Sequence, residues 1–597
     1  MNSIRAVASF FALSLCVAAM TGACGDDRDR FDASTERFNP DASVEEDAGA
    51  PDCLRQCSLD GRSVVDTCTG QTLEQCRPEL ACGAGVCQNP CDAAAADRSS
   101  NGCEFYLQPP FVRESVHSCY AAYVVNTSTL PVELSLELEG KKLDISKATF
   151  TTRSGGAALV PHEGTVPPGE SVIVFVSDLE PGATGDRLVR CPNGVVAATV
   201  AQPVPRRTGI GASFHLTASA PISLSAIYPF GGASSFIPSA TLLLPVATWG
   251  TQNIIVNAWG ATFNIGSPGA QIVASEDGTE VTILPTEDIQ GGVGVVGTAA
   301  FAPSTYRIDK GQVLQLVQDK ELTGSVVMSD KPTSIFGGHE CMNVPEGRSY
   351  CDTALQQLPS LEQWGSEYAA VGYRPRLGDD HEQMPYRIVA ARDGTRLDYD
   401  PAVPRGAPVT MSAGQVVTFY AAAGEPFVVR TQDVDHPVYL AAYMSGSAEP
   451  ISGDPVGNVD FHGNGDPDFV NVIPAGQYLS SYSFYADPTY RETSLVIVRG
   501  KTRGEFKDVT LECAGTLTDF RPLGTRGDYE YTRVDLARKG GPGQTFGTST
   551  CTNGVQHMKS EGPFTATLWG WAPYASYAYP GGMAQRKLVQ TPLAPIR

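Results

Sequence analysis

The sequence predicts an all-β protein, a tandem array of about four β-sandwich-like repeat units preceded by a small disulfide-rich module. The first observation is a recurring segment, since IVASEDGTEV at 272–281 returns as IVAARDGTRL at 388–397. The second is a series of short alternating apolar runs between 61 glycines and 43 prolines, without sustained helical periodicity. The third is a concentration of cysteines in residues 53–103. A segment that returns at a fixed distance indicates one duplicated structural unit.

Other landmarks recur at nearly the same distance, roughly 115 residues. Leu-Pro or Ile-Pro pairs stand at 244–245, 358–359 and 473–474. In each unit a glycine turn, Gly-Gln-Val in the clearest copies, precedes a strand that we expect to open with proline. These prolines are Pro221, Pro332, Pro437 and Pro563. The turn lies much further from its proline in the first unit, so residues 176–208 are expected to be an insertion.

We interpret these motifs as structural. Asp-Gly-Thr predicts a β-hairpin, because glycine supplies the positive φ that a two-residue turn needs. A unit of about 110 residues has room for roughly seven short strands, as a sandwich does. A propeller-like closed arrangement of the β units is the alternative, although propeller blades usually have only about 40–50 residues.

The N-terminus predicts a bacterial lipoprotein. An apolar segment after Arg5 ends in Gly22-Ala23-Cys24, which is typical of a signal peptide whose cysteine is lipidated. The alternative is ordinary cleavage that leaves Cys24 free or paired. The expected order is a lipoprotein signal peptide at 1–23, a disordered acidic tether at 24–50, a Cys-rich disulfide module at 51–103, and β units at 104–238, 239–351, 352–466 and 467–597. The expected location is the cell envelope, lipid-anchored at the outer membrane or cell surface.

Export to an oxidising space makes disulfides the expected state of the cysteines. Without Cys16 of the signal segment and Cys24, an even number remains (16 − 2 = 14). The four β units hold two, two, none and two, so the predicted pairs are Cys119–Cys191, Cys341–Cys351 and Cys513–Cys551. The sequence does not define the pairing in the N-terminal module, whose cysteines are Cys53, Cys57, Cys68, Cys76, Cys82, Cys87, Cys91 and Cys103.

The search for chemistry gives no catalytic residue, no metal site and no cofactor. A net charge of −22 without any basic run argues against nucleic acid as a partner, because phosphates require clustered lysine and arginine. His339, beside Glu340 and Cys341, is interpreted as a turn histidine next to a disulfide rather than as a metal ligand. The oxygen-bearing side chains of DFHGNGDPD resemble a calcium loop, but their spacing does not match an EF-hand, and we interpret the segment as a polar connector. They are Asp460, Asn464, Asp466 and Asp468.

Four segments carry a family resemblance: SEDGTEVTILP, YRIDKGQVLQL, LTGSVVMSDKPTSIFGGHEC and CDTALQQLPSLEQWGSEY. Their order resembles the IgG-Fc-binding protein N-terminal domain family, most clearly over 240–375. That family often has a histidine after Cys-Asp, whereas Thr353 follows Asp352 here. The resemblance implies a secreted β-repeat module with a binding or adhesive role and no known catalysis.

The expected function is therefore that of an exported, lipid-anchored cell-surface binding or adhesion protein without catalytic activity. Its expected partner is an unidentified surface or extracellular protein or glycan, and its membrane contact is through the N-terminal lipid alone. Two alternatives stay open. One is a secreted carbohydrate-active enzyme that uses loop carboxylates. The other is a structural component of the envelope or matrix.

Overall fold

The structure is a computed structural model that describes residues 54–58, 60–112, 117–152, 157–232, 235, 237–260, 266–448, 453–457 and 459–596. The predicted signal peptide and the acidic tether lie outside the described residues, as do Cys24 and Cys53. The described part is nearly all β, which confirms the predicted fold class. Among the described residues, no helix is both long enough and apolar enough to span a lipid bilayer.

The N-terminal module has a very small apolar core and relies on disulfides. Its strands are β1 (Arg55–Cys57), β2 (Ser63–Asp66), β3 (Thr72–Gln75), β4 (Ala81–Gly83) and β5 (Val86–Gln88). Val64, Cys76 and Cys82 form its buried cluster. Bonds from Cys57 to Cys82 and from Cys76 to Cys87 cross this cluster. The bonds offset the small area of apolar surface that so short a segment can bury.

One short helix, α1 (Pro90–Asp97), follows the module and was not predicted. The Asn89 side chain caps it by accepting a hydrogen bond from the Cys91 amide at 2.9 Å, and Pro90 occupies its first position. Alanine has the highest helix propensity of the amino acids, and the run Ala93-Ala94-Ala95-Ala96 lies within this helix. The helix could therefore have been recognised from local composition, although not from apolar periodicity. A Cys91–Cys103 bond then ties the helix to the β array.

Four groups of strands form that array. The first is a nine-stranded sheet of β6 (Gly102–Leu107), β7 (Tyr120–Asn126), β8 (Leu134–Leu138), β9 (Lys141–Leu143), β10 (Thr149–Thr152), β11 (Leu159–Pro161), β12 (Ser171–Ser177), β14 (Phe214–Tyr228) and β15 (Ser239–Leu242). The second is an eight-stranded sheet of β13 (Gly209–Ala212), β16 (Gly250–Ile254), β17 (Pro268–Ala274), β18 (Thr279–Leu284), β19 (Ser304–Ile308), β20 (Gln312–Val317), β21 (Val326–Met342) and β22 (Asp352–Leu358).

The third group consists of two four-stranded sheets. One contains β23 (Glu367–Ala370), β25 (Thr395–Asp400), β26 (Thr410–Met411) and β28 (Phe427–Thr431), and the other β24 (Gln383–Ala390), β27 (Val416–Ala422), β29 (Val438–Met444) and β30 (Asp468–Asn471). The fourth is a nine-stranded sheet of β31 (Leu479–Ala486), β32 (Glu492–Gly500), β33 (Val509–Leu511), β34 (Gly515–Thr516), β35 (Arg521–Leu523), β36 (Tyr529–Arg538), β37 (Gly541–Pro542), β40 (Gly554–Ala572) and β41 (Ala575–Pro580), beside the hairpin of β38 (Thr545–Phe546) and β39 (Ser549–Thr550).

The Asp-Gly-Thr segment joins two strands, but the predicted hairpin between them was wrong. β17 and β18 do not pair with each other, because both pair with the long strand β21. β18 pairs with residues 326–329 of that strand and β17 with residues 333–339. In the third group the corresponding strands β24 and β25 belong to different sheets. The turn therefore connects two strands that are not hydrogen-bonded to each other.

Three of the four motif prolines do not open a strand, which corrects a second expectation. Pro221, Pro332 and Pro563 lie inside β14, β21 and β40, where the pairing with a neighbouring strand shifts register. Proline has no N–H to donate, so it is tolerated where the hydrogen-bond ladder is interrupted. Pro437 directly precedes β29, as expected. The sequence predicted that a strand begins at each proline, whereas β14, β21 and β40 continue through it.

Four inner strands hold the groups together. β15 pairs with β14, β22 with β21, β30 with β29 and β41 with β40, and the four inner strands pack against one another. Gln356 on β22 is fully buried between them. Its Nε2 lies 2.8 Å from the Ala240 oxygen, 3.0 Å from that of Phe469 and 2.9 Å from that of Ala578, one on each other inner strand. A single side chain thus cross-links all four groups.

Candidate binding surface

A connector joins each inner strand to the strand that precedes it and pairs with it. Three of these connectors carry a residue with an unusual backbone conformation. We name residues 343–351 connector 2, residues 445–467 connector 3 and residues 573–574 connector 4. Tyr350, His462 and Tyr574 have φ angles of 66°, 53° and 55°, in the left-handed region. The first connector, 229–238, uses Gly231 at 69° instead. A non-glycine residue there costs about 1–3 kcal/mol, and such strain is concentrated at functional sites.

Tyr350 and Tyr574 form an exposed aromatic pair, which we name the tyrosine patch. Their ring centroids are 4.9 Å apart with a tilt of 57°, and the residues are 54% and 36% exposed. The Tyr574 amide donates to the Gly463 oxygen at 2.8 Å. A Cβ at Gly463 would lie 2.7 Å from the Tyr574 ring, so glycine is required at this contact. Connectors 2, 3 and 4 therefore meet at the patch.

Arg348 lies buried in the interior and holds connector 3 in place. Its guanidinium is fully buried, pairs with Asp454, and donates to main-chain carbonyls of connector 3. These carbonyls belong to Gly446, Ala448, Gly457 and Val459, at 2.9, 3.2, 3.2 and 3.1 Å. Connector 2 is closed by the Cys341–Cys351 bond and by the Asn343 amide, which donates to the oxygens of Arg348 and Tyr350. The loop that presents Tyr350 is thus held at both ends.

A second buried arginine completes the support. The guanidinium of Arg376 lies 3.5 Å from the centroid of the Phe461 ring, and that of Arg348 lies 5.3 Å from it. Arg376 also bonds to Glu382 at 2.8 Å and to the Ser445 oxygen at 2.8 Å. Contacts of this kind between a cation and an aromatic ring stabilise by about 0.5–2 kcal/mol. The connectors that carry the tyrosine patch are therefore held in place by the ion pairs and aromatic contacts of two buried arginines.

Three buried carboxyl groups lie in this same region, on Asp352, Asp466 and Asp468. Burial raises the pKa of each, for Asp466 to about 8, and the charges of Asp466 and Asp468 add to the effect on Asp352. The inner strands β22 and β30 begin at Asp352 and Asp468, which explains why these groups converge. Burial therefore favours the neutral acid form of each group.

The residues of the calcium-like loop are used in separate local contacts. The Asp460 carboxylate accepts from the His462 amide at 2.7 Å, that of Asp466 from the Ser447 amide at 3.2 Å, and that of Asp468 from its neighbour's amide at 2.7 Å. The main-chain oxygen of Asn464 accepts a hydrogen bond from Arg376 at 3.1 Å. Within the described ranges, one trio of ligand-type side chains lies within 4.8 Å, Cys119, Asp178 and Cys191, and its cysteines are disulfide-bonded.

His339 lies inside strand β21 and not in the expected turn. The side chains of His339 and Glu340 both make contacts within the fold. Burial lowers the pKa of His339 to about 3, so the imidazole is neutral. Its Nδ1 accepts from the Cys341 amide at 3.0 Å, and its Nε2 lies 3.1 Å from the Gly260 oxygen. The Glu340 carboxylate accepts from Arg207 at 3.1 Å and from the Ser267 amide at 3.0 Å. Both imidazole nitrogens are therefore engaged within the fold.

The repeated Asp-Gly-Thr residues also act inside their own groups. The Asp277 carboxylate accepts from the Lys310 amide at 3.1 Å, and that of Asp393 from the Ala413 amide at 2.9 Å. These bonds attach each Asp-Gly-Thr turn to the glycine turn that follows it. The repeat is thus explained by folding.

The cysteines of the array form three disulfides in the structure: Cys119–Cys191, Cys341–Cys351 and Cys513–Cys551. In the N-terminal module the bonds are Cys57–Cys82, Cys76–Cys87 and Cys91–Cys103, and Cys68 is also disulfide-bonded. The tyrosine patch was not identified from the sequence. The pattern that could have indicated it is a tyrosine shortly before an inner strand, which occurs at Tyr350 and again at Tyr574.

Fold and surface together define a disulfide-stabilised, all-β repeat protein of the kind found outside cells. The chain belongs to the family described as IgGFc binding protein, whose model matches residues 239–570. This is a family of binding domains rather than of enzymes. No curated protein and no solved structure matches the chain. The match includes connectors 2 and 3, and ends just before connector 4.

Proposed function

We propose that the protein is an exported, lipid-anchored cell-surface protein that binds an extracellular partner through the tyrosine patch and performs no catalysis. The observation that carries this proposal is the exposed pair Tyr350 and Tyr574, held in strained backbone on a buried arginine base. Tyrosine is enriched at the centres of protein interfaces, and a rigid base reduces the entropy lost on binding. Membership in a family of binding domains supports a protein partner.

The experiment that tests the patch uses the double variant Tyr350→Ser, Tyr574→Ser. Biosensor binding is measured to an immunoglobulin Fc fragment, a defined probe suggested by the family description, and to fractionated surface proteins and polysaccharides of the producing cell. Loss of both rings should weaken binding to the recognised fraction by at least about tenfold. The control Val403→Ser, Val409→Ser removes exposed apolar side chains, 52% and 54% exposed, from a different loop. Equal binding by both double variants would refute the proposal for the patch.

The anchor is tested independently. Cys24→Ala should move the protein from the detergent-soluble membrane fraction to the soluble fraction, because the lipid is proposed to be its membrane contact. Cys16→Ala, which removes the other cysteine of the signal segment, is the matched control and should stay with the membrane. A Cys24→Ala protein that still partitions with membranes would show that the anchor lies elsewhere, without bearing on the tyrosine patch.

A further inference from the structure

A cavity of about 390 Å³ lies where the first group of strands meets the second. It shares no lining residue with the tyrosine patch. Its volume falls within the range of about 300–1,000 Å³ that is usual for small-molecule sites. One wall comes from β6, β8 and β14, and the other from the turn at Asp277 and the turn at 309–312.

A row of three side chains forms the first wall. His215 on β14 is the cross-strand partner of Tyr106 on β6 and of Glu137 on β8, so all three share one face of the sheet. The Tyr106 ring stacks on the imidazole, with centroids 4.6 Å apart and planes at 14°. The His215 Nε2 lies 2.9 Å from the Glu104 carboxylate. The row is therefore fixed in position before any ligand arrives.

Tyr106 brings a buried hydroxyl group to the lining of the cavity. The residue is only 2% exposed, and in the described part of the chain its hydroxyl has no hydrogen-bond partner. Buried polar atoms nearly always have a partner. The hydroxyls of Tyr399, Tyr478 and Tyr490 also have none within the described residues, but Tyr106 is the one of these four tyrosines that lines this cavity, where a ligand oxygen can accept its hydrogen bond. Burial and the nearby carboxylates raise the pKa of Tyr106, so the hydroxyl stays protonated and can donate.

The repeat does not by itself create such a cavity. The second group's glycine turn at Gly311 borders the cavity, with an added Cβ only 3.3 Å from the Tyr106 ring. The third group's corresponding turn, at Gly414, packs directly on Gly324, where an added Cβ would overlap the Gly414 oxygen. The same motif is thus close-packed at one junction and leaves space at the other.

We propose that this cavity binds a small, hydroxyl-rich ligand without negative charge, namely a neutral or amino sugar unit. Acidic side chains line it, among them Glu137, Asp277 and Asp309, against the single lysine Lys310 and His215. Carboxylates accept hydrogen bonds and repel anions, so the ligand must supply O–H or N–H donors. The Tyr106 hydroxyl donates to a ligand oxygen. The site does not depend on the tyrosine patch.

The test is isothermal titration of the purified protein with three probes: glucose, glucosamine and glucuronate. Saturable binding of glucose or glucosamine, with glucuronate weakest, is the expected result, and the better of the first two identifies a neutral or an amino sugar. Tyr106→Phe should weaken that binding about three- to tenfold, the effect of losing one hydrogen bond. Its melting temperature should not fall, because the hydroxyl has no partner within the described fold.

Tyr482→Phe is the matched control, since the Tyr482 hydroxyl donates to the Phe564 oxygen and accepts from the Leu479 amide at 3.0 Å. This variant should melt at a lower temperature and bind the sugar as the wild type does. Glu137→Gln should weaken binding, while Glu163→Gln, outside the cavity lining, should not. The proposal is overturned if no probe binds at millimolar concentration, if glucuronate binds best, or if Tyr106→Phe binds as tightly as the wild type.

Discussion

Tyr350 is the residue at which the proposed function and backbone strain meet. Its φ of 66° would suit glycine, which stands in the left-handed position of the first connector. Three of the four connectors nevertheless carry a tyrosine or histidine there. A side chain that is kept in spite of backbone strain is expected to contribute to binding.

Comparing Tyr350→Gly with Tyr350→Ala isolates this strain. Both variants lose the ring contact with Tyr574, but only alanine retains a Cβ at a φ of 66°. We expect the glycine variant to be more stable than the alanine variant by about 1 kcal/mol, and both to lose binding. Thermal unfolding and the biosensor assay measure the two effects. If alanine is the more stable substitution, no strain is stored at this position.

Arg348 is the second residue whose role is predicted from its surroundings. Arg348→Met leaves Asp454 buried without its cation and removes the bonds to connector 3, which should destabilise the protein by about 3–5 kcal/mol. Arg77→Met is the control, because that side chain is 79% exposed and lies 3.8 Å from Glu79. Denaturant unfolding should show a large loss for the first and no measurable loss for the second. Equal midpoints would contradict the assigned role.

At the scale of elements, the contact between Gly324 and Gly414 sets how closely the second and third groups pack. Gly324→Ala adds a Cβ that overlaps the Gly414 oxygen, in addition to the strain of a φ of 91°. Gly504→Ala introduces the strain alone, since its Cβ would meet nothing within 4 Å at a φ of 80°. We expect Gly324→Ala to lower the first unfolding transition clearly more than Gly504→Ala. Similar shifts would mean that the junction adjusts easily.

The elements also show where sequence reasoning succeeds. The fold class was predictable, because alternation, glycine turns and proline positions are local signals. The partner of each strand was not, because β17 and β18 both pair with one long strand, and the choice depends on packing between distant segments. The tyrosine patch escaped prediction for the same reason, since Tyr350 and Tyr574 meet only when connectors 2 and 4 come together.

At the scale of the whole molecule, the groups share their cores rather than folding side by side as independent units. One apolar cluster includes Phe175 of the first group with Tyr485 and Tyr577 of the fourth. Gln356 lies on the inner strand of the second group, and its side chain contacts the inner strands of the other three groups. A change at the centre is therefore expected to affect the entire array.

The buried acids near the start of the inner strands allow the centre of the array to be tested by measuring how stability depends on pH. Burial raises the pKa of Asp466 to about 8, whereas in the unfolded chain it is near 3.8. The folded state therefore keeps a proton that the unfolded state releases, so this group's contribution to stability is complete below about pH 4 and is lost as pH rises towards 8. The loss is at most about 1.4 kcal/mol per pH unit for one proton.

Asp466→Asn replaces the acid by a neutral amide that keeps an acceptor for the Ser447 amide. The melting temperature of the wild type should fall relative to that of the variant between pH 4 and pH 8, with the curves parallel above that range. Asp468→Asn should act in the same direction, because burial raises the pKa of Asp468 as well. Circular dichroism melts in matched buffers measure the difference. Parallel profiles across the whole range would mean that Asp466 is ionised in the folded protein, and that the centre of the array tolerates a buried charge.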